Sequence, residues 1–117
     1  MKFTMLIYHG TTPLPGSDSW KALTVAEQKA IYADYAALNK APGVAPATPL
    51  GLPSAARTVQ VGDGKTAVKN GPHSTEAVGG VFEYEAETME AAVELAARIP
   101  AARLGGAVEI RPAAQYW

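Results

Sequence analysis

The stretch VFEYEAETMEAAVELAARIP, residues 81–100, changes period halfway along, and that change decides the fold. From Val81 to Ala86 apolar and charged residues alternate: Phe82, Tyr84 and Ala86 share one face of a strand, and Val81, Glu83 and Glu85 share the other. Thr88 then supplies a side-chain oxygen able to cap a helix. Met89, Ala92, Val93, Ala96 and Ile99 recur at helical spacing until Pro100 ends the run. Beyond it, Ala107 to Arg111 reads as another strand, with Val108 and Ile110 on one face, Glu109 and Arg111 on the other, and Pro112 closing it. This half of the chain is strand, helix, strand.

The first half repeats that order. KFTMLIY, residues 2–8, is a short apolar run bounded by His9-Gly10-Thr11-Thr12-Pro13, the pattern of a strand covered on both faces. Thr11 to Ser19 is rich in Pro, Gly and Ser and reads as a loop leading to Trp20. Thr24 and Glu27 have capping-box spacing, Ile31, Tyr35 and Leu38 follow at helical intervals, and Pro42-Gly43 stops a helix expected over 25–40. Four prolines, Pro42, Pro46, Pro49 and Pro53, restrict any following strand to a short or edge one, because proline cannot donate to a ladder. Asp63-Gly64 between Arg57–Val61 and Lys65–Lys69 marks a hairpin. The resulting order, β-α-β-(hairpin)-β-α-β, specifies an α+β, ferredoxin-like split βαβ with an inserted hairpin. The 117 residues make one domain, which buries roughly two-thirds of the surface of its unfolded chain without staples.

Composition excludes several roles. Ten Lys plus Arg against 11 Asp plus Glu, with no basic stripe, leave no electrostatic footprint for nucleic acid. Zero cysteines exclude disulfides, a thiol nucleophile and a Cys-based zinc site. The opening MKFTMLIYHG is too short for a secretory signal, and no apolar stretch approaches the roughly 20 residues that span a membrane, so a cytoplasmic protein with no membrane partner is expected.

The most chemically varied segment is NGPHSTEAVGG, residues 70–80. His73 is a candidate acid or base, since imidazole titrates near neutrality, and Glu76 a carboxylate to orient it; two solvated loop residues are the plainer reading. Ser74 and Thr75 lack a nucleophile elbow around them. His9 stands at the end of the first strand, where a loop brings it towards this segment, but the spacing of His9, His73 and Glu76 matches no metal motif, so no metal or other cofactor is expected. Gly79-Gly80 precedes a strand, not a helix, which argues for close backbone approach and not for a phosphate loop. Arg111 offers a guanidinium fork to an anionic ligand, with an ion pair to Glu83, Glu85 or Glu109 as the structural alternative; Arg57 has the same two readings. Tyr116 and Trp117 are candidates to cover a cavity or a subunit seam. The charged residues of the last two strands face away from the helices while the first strand is apolar throughout. A second copy laid sheet to sheet reconciles the two, leaving a cavity lined by Tyr8, His9, Glu83, Glu109 and Arg111 for a small ligand.

Several motifs together resemble the YCII-related family, DGPF subgroup, over nearly the whole chain. They are Met1-Lys2-Phe3 through Tyr8, Trp20, Gly43-Val44-Ala45-Pro46, Thr58-Val59, Asp63-Gly64, Asn70-Gly71-Pro72, Gly79-Gly80, Ala96 through Arg103, and Gly106 through Pro112 with Trp117. The resemblance implies a homodimeric α/β-barrel of ferredoxin-like protomers with a cavity between the sheets. It also implies that activity is unestablished for most members, many of them encoded near extracytoplasmic-function sigma factors, so a regulatory protein-interaction module stands beside a ligand-binding protein and an acid-base lyase or isomerase as the expected function. Some relatives use a His-Asp pair in acid-base chemistry, one of them a dehydrochlorinase of a hydroxylated aromatic. Their histidine lies near the first helix, and residues 25–40 here contain none, so that pair is not carried over. The signature Asp-Gly-Pro-Phe is altered to Asn70-Gly71-Pro72-His73 and its loop is shorter: a carboxylate is lost and an imidazole gained.

Overall fold

A computed structural model describes residues 1–45 and 49–116; Pro46 and Trp117, used in the sequence reading, lie outside the described residues. Among the described residues, six strands and three α-helices follow in the order β1 (Lys2–Tyr8), α1 (Asp18–Lys21), α2 (Val25–Asn39), β2 (Val44–Ala45), β3 (Arg57–Gly62), β4 (Lys65–Asn70), β5 (Val78–Glu85), α3 (Met89–Ala96) and β6 (Ala107–Pro112). Four strands form one sheet in the order β2-β5-β1-β6, and each adjacent pair is antiparallel. That order is the ferredoxin-like one, with β1 and β5 in the middle. The sheet is open, not a closed barrel.

The hairpin expected at Asp63-Gly64 is present as a separate two-stranded sheet. Gly62 pairs with Lys65, leaving a two-residue turn in which Asp63 has φ 50° and Gly64 φ 72°. Positive φ at both central residues is the type I′ geometry that matches strand twist. Helix α2 begins as its sequence demands: the Glu27 N–H donates to the Thr24 hydroxyl at 3.1 Å, and the Thr24 N–H donates to the Glu27 carboxylate at 2.9 Å. The run from Pro42 through Pro53 yields only the two-residue edge strand β2 and a 3₁₀ turn over Pro53–Ala55.

Along β1 the side chains of Phe3, Met5 and Ile7 are buried under the helices, while Thr4, Leu6 and Tyr8 on the opposite face are half-buried. Phe82 from β5, Leu38 from α2, Ala92, Leu95 and Ala96 from α3, and Ile99 and Ala101 complete the core. An ion pair between Arg103 and Asp34 ties α2 to the turn preceding β6.

Three boundaries differ from the sequence reading. Asp18–Lys21 forms one helical turn where a loop was expected, because the Ser17 hydroxyl accepts from the Trp20 N–H and caps it. Strand β5 starts at Val78 and not Val81, with Gly79 and Gly80 inside it and buried. Helix α3 stops at Ala96, since the extended backbone of Ile99 (φ −72°, ψ 125°) is what a residue before proline favours. Its buried stripe is Ala92, Leu95 and Ala96, whereas Met89 and Val93, expected in the core, are exposed. Glu90 and Glu94, four residues apart, mark the solvent face of this helix, and Val93 lies beside them.

Candidate functional site

The register distributes the expected site residues over three places. Pairing sets Glu83, Thr4 and Arg111 in one row across the open face of the sheet, and Val81, Leu6 and Glu109 in the next, with Tyr8 beyond. Tyr8, Glu83, Glu109 and Arg111 therefore share the face that the helices leave uncovered. Within it the Arg111 Nε donates to the Glu109 carboxylate at 2.8 Å, the ion pair named above as the structural alternative. In the second place, the loop before β5, His73 and Glu76 are exposed, and among the described residues no hydrogen bond joins them. The local contact is instead the Glu76 N–H donating to the Ser74 hydroxyl at 3.1 Å.

His9 goes elsewhere. It follows Tyr8 in the alternation, so its ring turns to the helix side of the sheet, away from Arg111. Its backbone N–H reaches the Ala77 carbonyl at 3.4 Å, which does bring it against the 70–80 segment. The ring then lies over Gly79, where a β-carbon would overlap the imidazole at Nε2. Glycine at this position is thus a steric requirement of His9.

His9 lines a cavity of about 510 Å³ between α2 and the ends of β1 and β5. Volume on this scale suits small-molecule sites, which are typically about 300–1,000 Å³. Its floor is Ile7, Gly80 and Phe82, and its helix wall is Ile31, Tyr32, Tyr35 and Asn39. Two loops close the sides: Thr12–Pro15 with Trp20, and Pro49–Leu52. The first is shaped by Ser17, whose hydroxyl donates to the Leu14 carbonyl at 2.6 Å, and by Gln28, whose side chain donates to the Trp20 carbonyl at 2.9 Å. The second is held where the Leu50 N–H reaches the Gly79 carbonyl at 3.4 Å. Trp20 meets Tyr32 edge to face with centroids 5.2 Å apart, and Tyr35 lies parallel to Phe82 at 6.4 Å.

Among the described residues no Asp, Glu, Lys or Arg side chain lines this cavity. Three buried polar atoms there, His9 Nδ1, Thr12 Oγ1 and Asn39 Oδ1, have no hydrogen-bond partner among the described residues. Leaving such a group unpaired costs about 1–3 kcal/mol, so three in one place require a reason. Burial lowers the pKa of His9, and a hydrogen bond with the Gly79 backbone opposes this only in part. The imidazole is therefore neutral at pH 7, one ring nitrogen carrying a proton and the other a lone pair. Burial likewise raises the pKa of the Tyr35 hydroxyl, against the charge of Arg103, and keeps it protonated. No group of three or more His, Cys, Asp or Glu that could hold a metal ion occurs among the described residues.

The sequence reading found His9 but missed Thr12, Trp20, Tyr35 and Asn39 as its neighbours. No local pattern in the sequence marks these residues, since they come from separate segments that meet only in the fold. No helix is long and apolar enough to cross a membrane among the described residues. A search of curated proteins finds no match. The model of the YCII-related domain matches residues 1–115, and with an α+β sheet in the ferredoxin-like order beneath that match, the chain belongs to the YCII-related family.

Proposed function

We propose that this YCII-related protein binds a small uncharged molecule in the cavity between α2 and the sheet. The observation that carries the reading is the coincidence, in one cavity, of aromatic walls, no charged lining and three unpartnered polar atoms. An apolar pocket with a few convergent polar groups is the common form of a small-molecule site. Heteronuclear NMR of the purified protein against a library of small neutral aromatics tests it: the amides of Thr12, Trp20, Asn39 and Gly79 shift on binding. Shifts confined to the open face, or none at all, overturn it.

The working form is a cytoplasmic homodimer of the DGPF subgroup, its two open faces apposed. Half-buried Leu6 and Val81, adjacent in register and flanked by Glu83, Glu109 and Arg111, support the pairing. Sedimentation at micromolar concentration shows a dimer, and Leu6→Glu shifts it to monomer; a wild-type monomer removes this part. A second ligand position, with Arg111 holding an anion between the sheets, competes with the Glu109 ion pair and is tested by binding of benzoate in Arg111→Gln.

Acid-base chemistry as a lyase or isomerase, with His73 as acid or base and Glu76 orienting it, is the second reading. What favours it is that the loop bearing both residues runs directly into Gly79 and Gly80, which line the cavity. Turnover of a cavity ligand that survives in His73→Ala removes this reading.

A further inference from the structure

We infer that the ligand of this cavity is a flat, neutral molecule that donates hydrogen bonds, of the chemical class of an aromatic primary amide or an N–H heterocycle. The inference rests on the cavity being the ligand site, and it names what that site selects.

The direction of the hydrogen bonds comes from the chemistry of the unpartnered atoms. His9 Nδ1 belongs to a neutral imidazole and has no partner among the described residues, so it can accept from a ligand when the proton sits on the other ring nitrogen. Asn39 Oδ1 is an amide oxygen and accepts. Thr12 Oγ1 is a hydroxyl, able to donate as well as accept, on a side chain buried at 8% exposure. One amide acceptor, with an imidazole nitrogen and a hydroxyl that can both accept, complements a group with two N–H donors and one carbonyl. All three atoms are shielded from solvent on residues that line the cavity, so pairing with a ligand requires the His9 ring, the Asn39 amide and the Thr12 side chain to turn towards it. Flatness follows from the aromatic walls, where Tyr35 already stacks on Phe82. An anion has no cationic partner in the lining, and a cation no carboxylate, so either is desolvated without compensation.

Three probes of nearly one shape separate the possibilities: benzamide, which has two N–H donors, methyl benzoate, which has none, and benzoate, which is charged. Titrations followed by heteronuclear NMR on the wild-type protein give benzamide as the tightest, about tenfold over methyl benzoate, the ratio expected of one additional hydrogen bond to a shielded acceptor. Asn39→Leu and Thr12→Val each narrow that ratio while leaving methyl benzoate binding unchanged or stronger. Methyl benzoate binding as tightly as benzamide, or more tightly, overturns the donor inference and leaves the cavity as a purely apolar site. Benzoate as the tightest probe overturns the neutral class. If none of the three perturbs a cavity residue, the site itself is wrong and this inference falls with it. The wild-type comparison does not depend on any variant folding.

Discussion

The imidazole of His9 occupies the space that a side chain at Gly79 would need: the residue that follows β1 and the second residue of β5 are sterically exclusive. His9 therefore owes its place on the cavity wall to a glycine 70 residues away in the chain.

Gly79→Ala tests this directly. The added methyl displaces the ring and costs about 1–3 kcal/mol, as overpacking in a filled interior does. His9→Ala in the same chain relieves the clash, so the double variant is more stable than the sum of the two single costs predicts. Chemical denaturation of the four proteins measures the coupling; strict additivity contradicts the geometry.

Stability also depends on the protonation of His9. Its folded pKa is lowered by burial, so between that value and the unfolded value of about 6.5 the unfolded chain binds the proton and the folded one does not. Stability therefore rises as pH rises through this window and is fully present above about pH 6.5. Denaturation midpoints at several pH values show the slope, and His9→Phe removes it.

Thr12→Val replaces a buried hydroxyl that has no partner among the described residues with a methyl group of similar volume. Nothing paired is broken, so the variant matches or exceeds the wild type in thermal stability. A loss above about 1 kcal/mol would mean that the hydroxyl is already engaged in the free protein.

The two faces of α3 separate in the same assay. Leu95→Ala costs about 2–5 kcal/mol, because the side chain is buried in the core, whereas Val93→Ala, at 52% exposure, stays within about 0.5 kcal/mol. Equal costs would restore the stripe inferred from spacing.

That contrast shows what was legible in the sequence and what was not. Strong local chemistry was legible: the Thr24–Glu27 capping box and the Asp63-Gly64 turn both appear where residue type and spacing put them. So was the alternation of β5 and β6, which assigns Glu83, Glu109 and Arg111 to the uncovered face. The phase of α3 was missed although Glu90 and Glu94, four residues apart, mark its solvent face opposite Ala92, Leu95 and Ala96; counting apolar positions alone put Val93, which sits beside those glutamates, in the core. The cavity was legible only in part, for Thr12, Trp20, Asn39, Leu50 and Gly79 come from five separate segments and meet through tertiary packing, which has no period along the chain. His9 and Gly79 were each noticed, but their relationship belongs to the pairing of β1 with β5.

The position of β1 has a consequence for how the protein is made. On the ribosome β1 emerges before the other strands of its sheet, yet its two neighbours are β5, at Val78–Glu85, and β6, at Ala107–Pro112. Its apolar face, Phe3, Met5 and Ile7, must stay out of wrong pairings throughout that interval. The hairpin β3–β4, closed by its own turn, gives the growing chain something local to form meanwhile, and the main sheet is completed only when the last strand arrives.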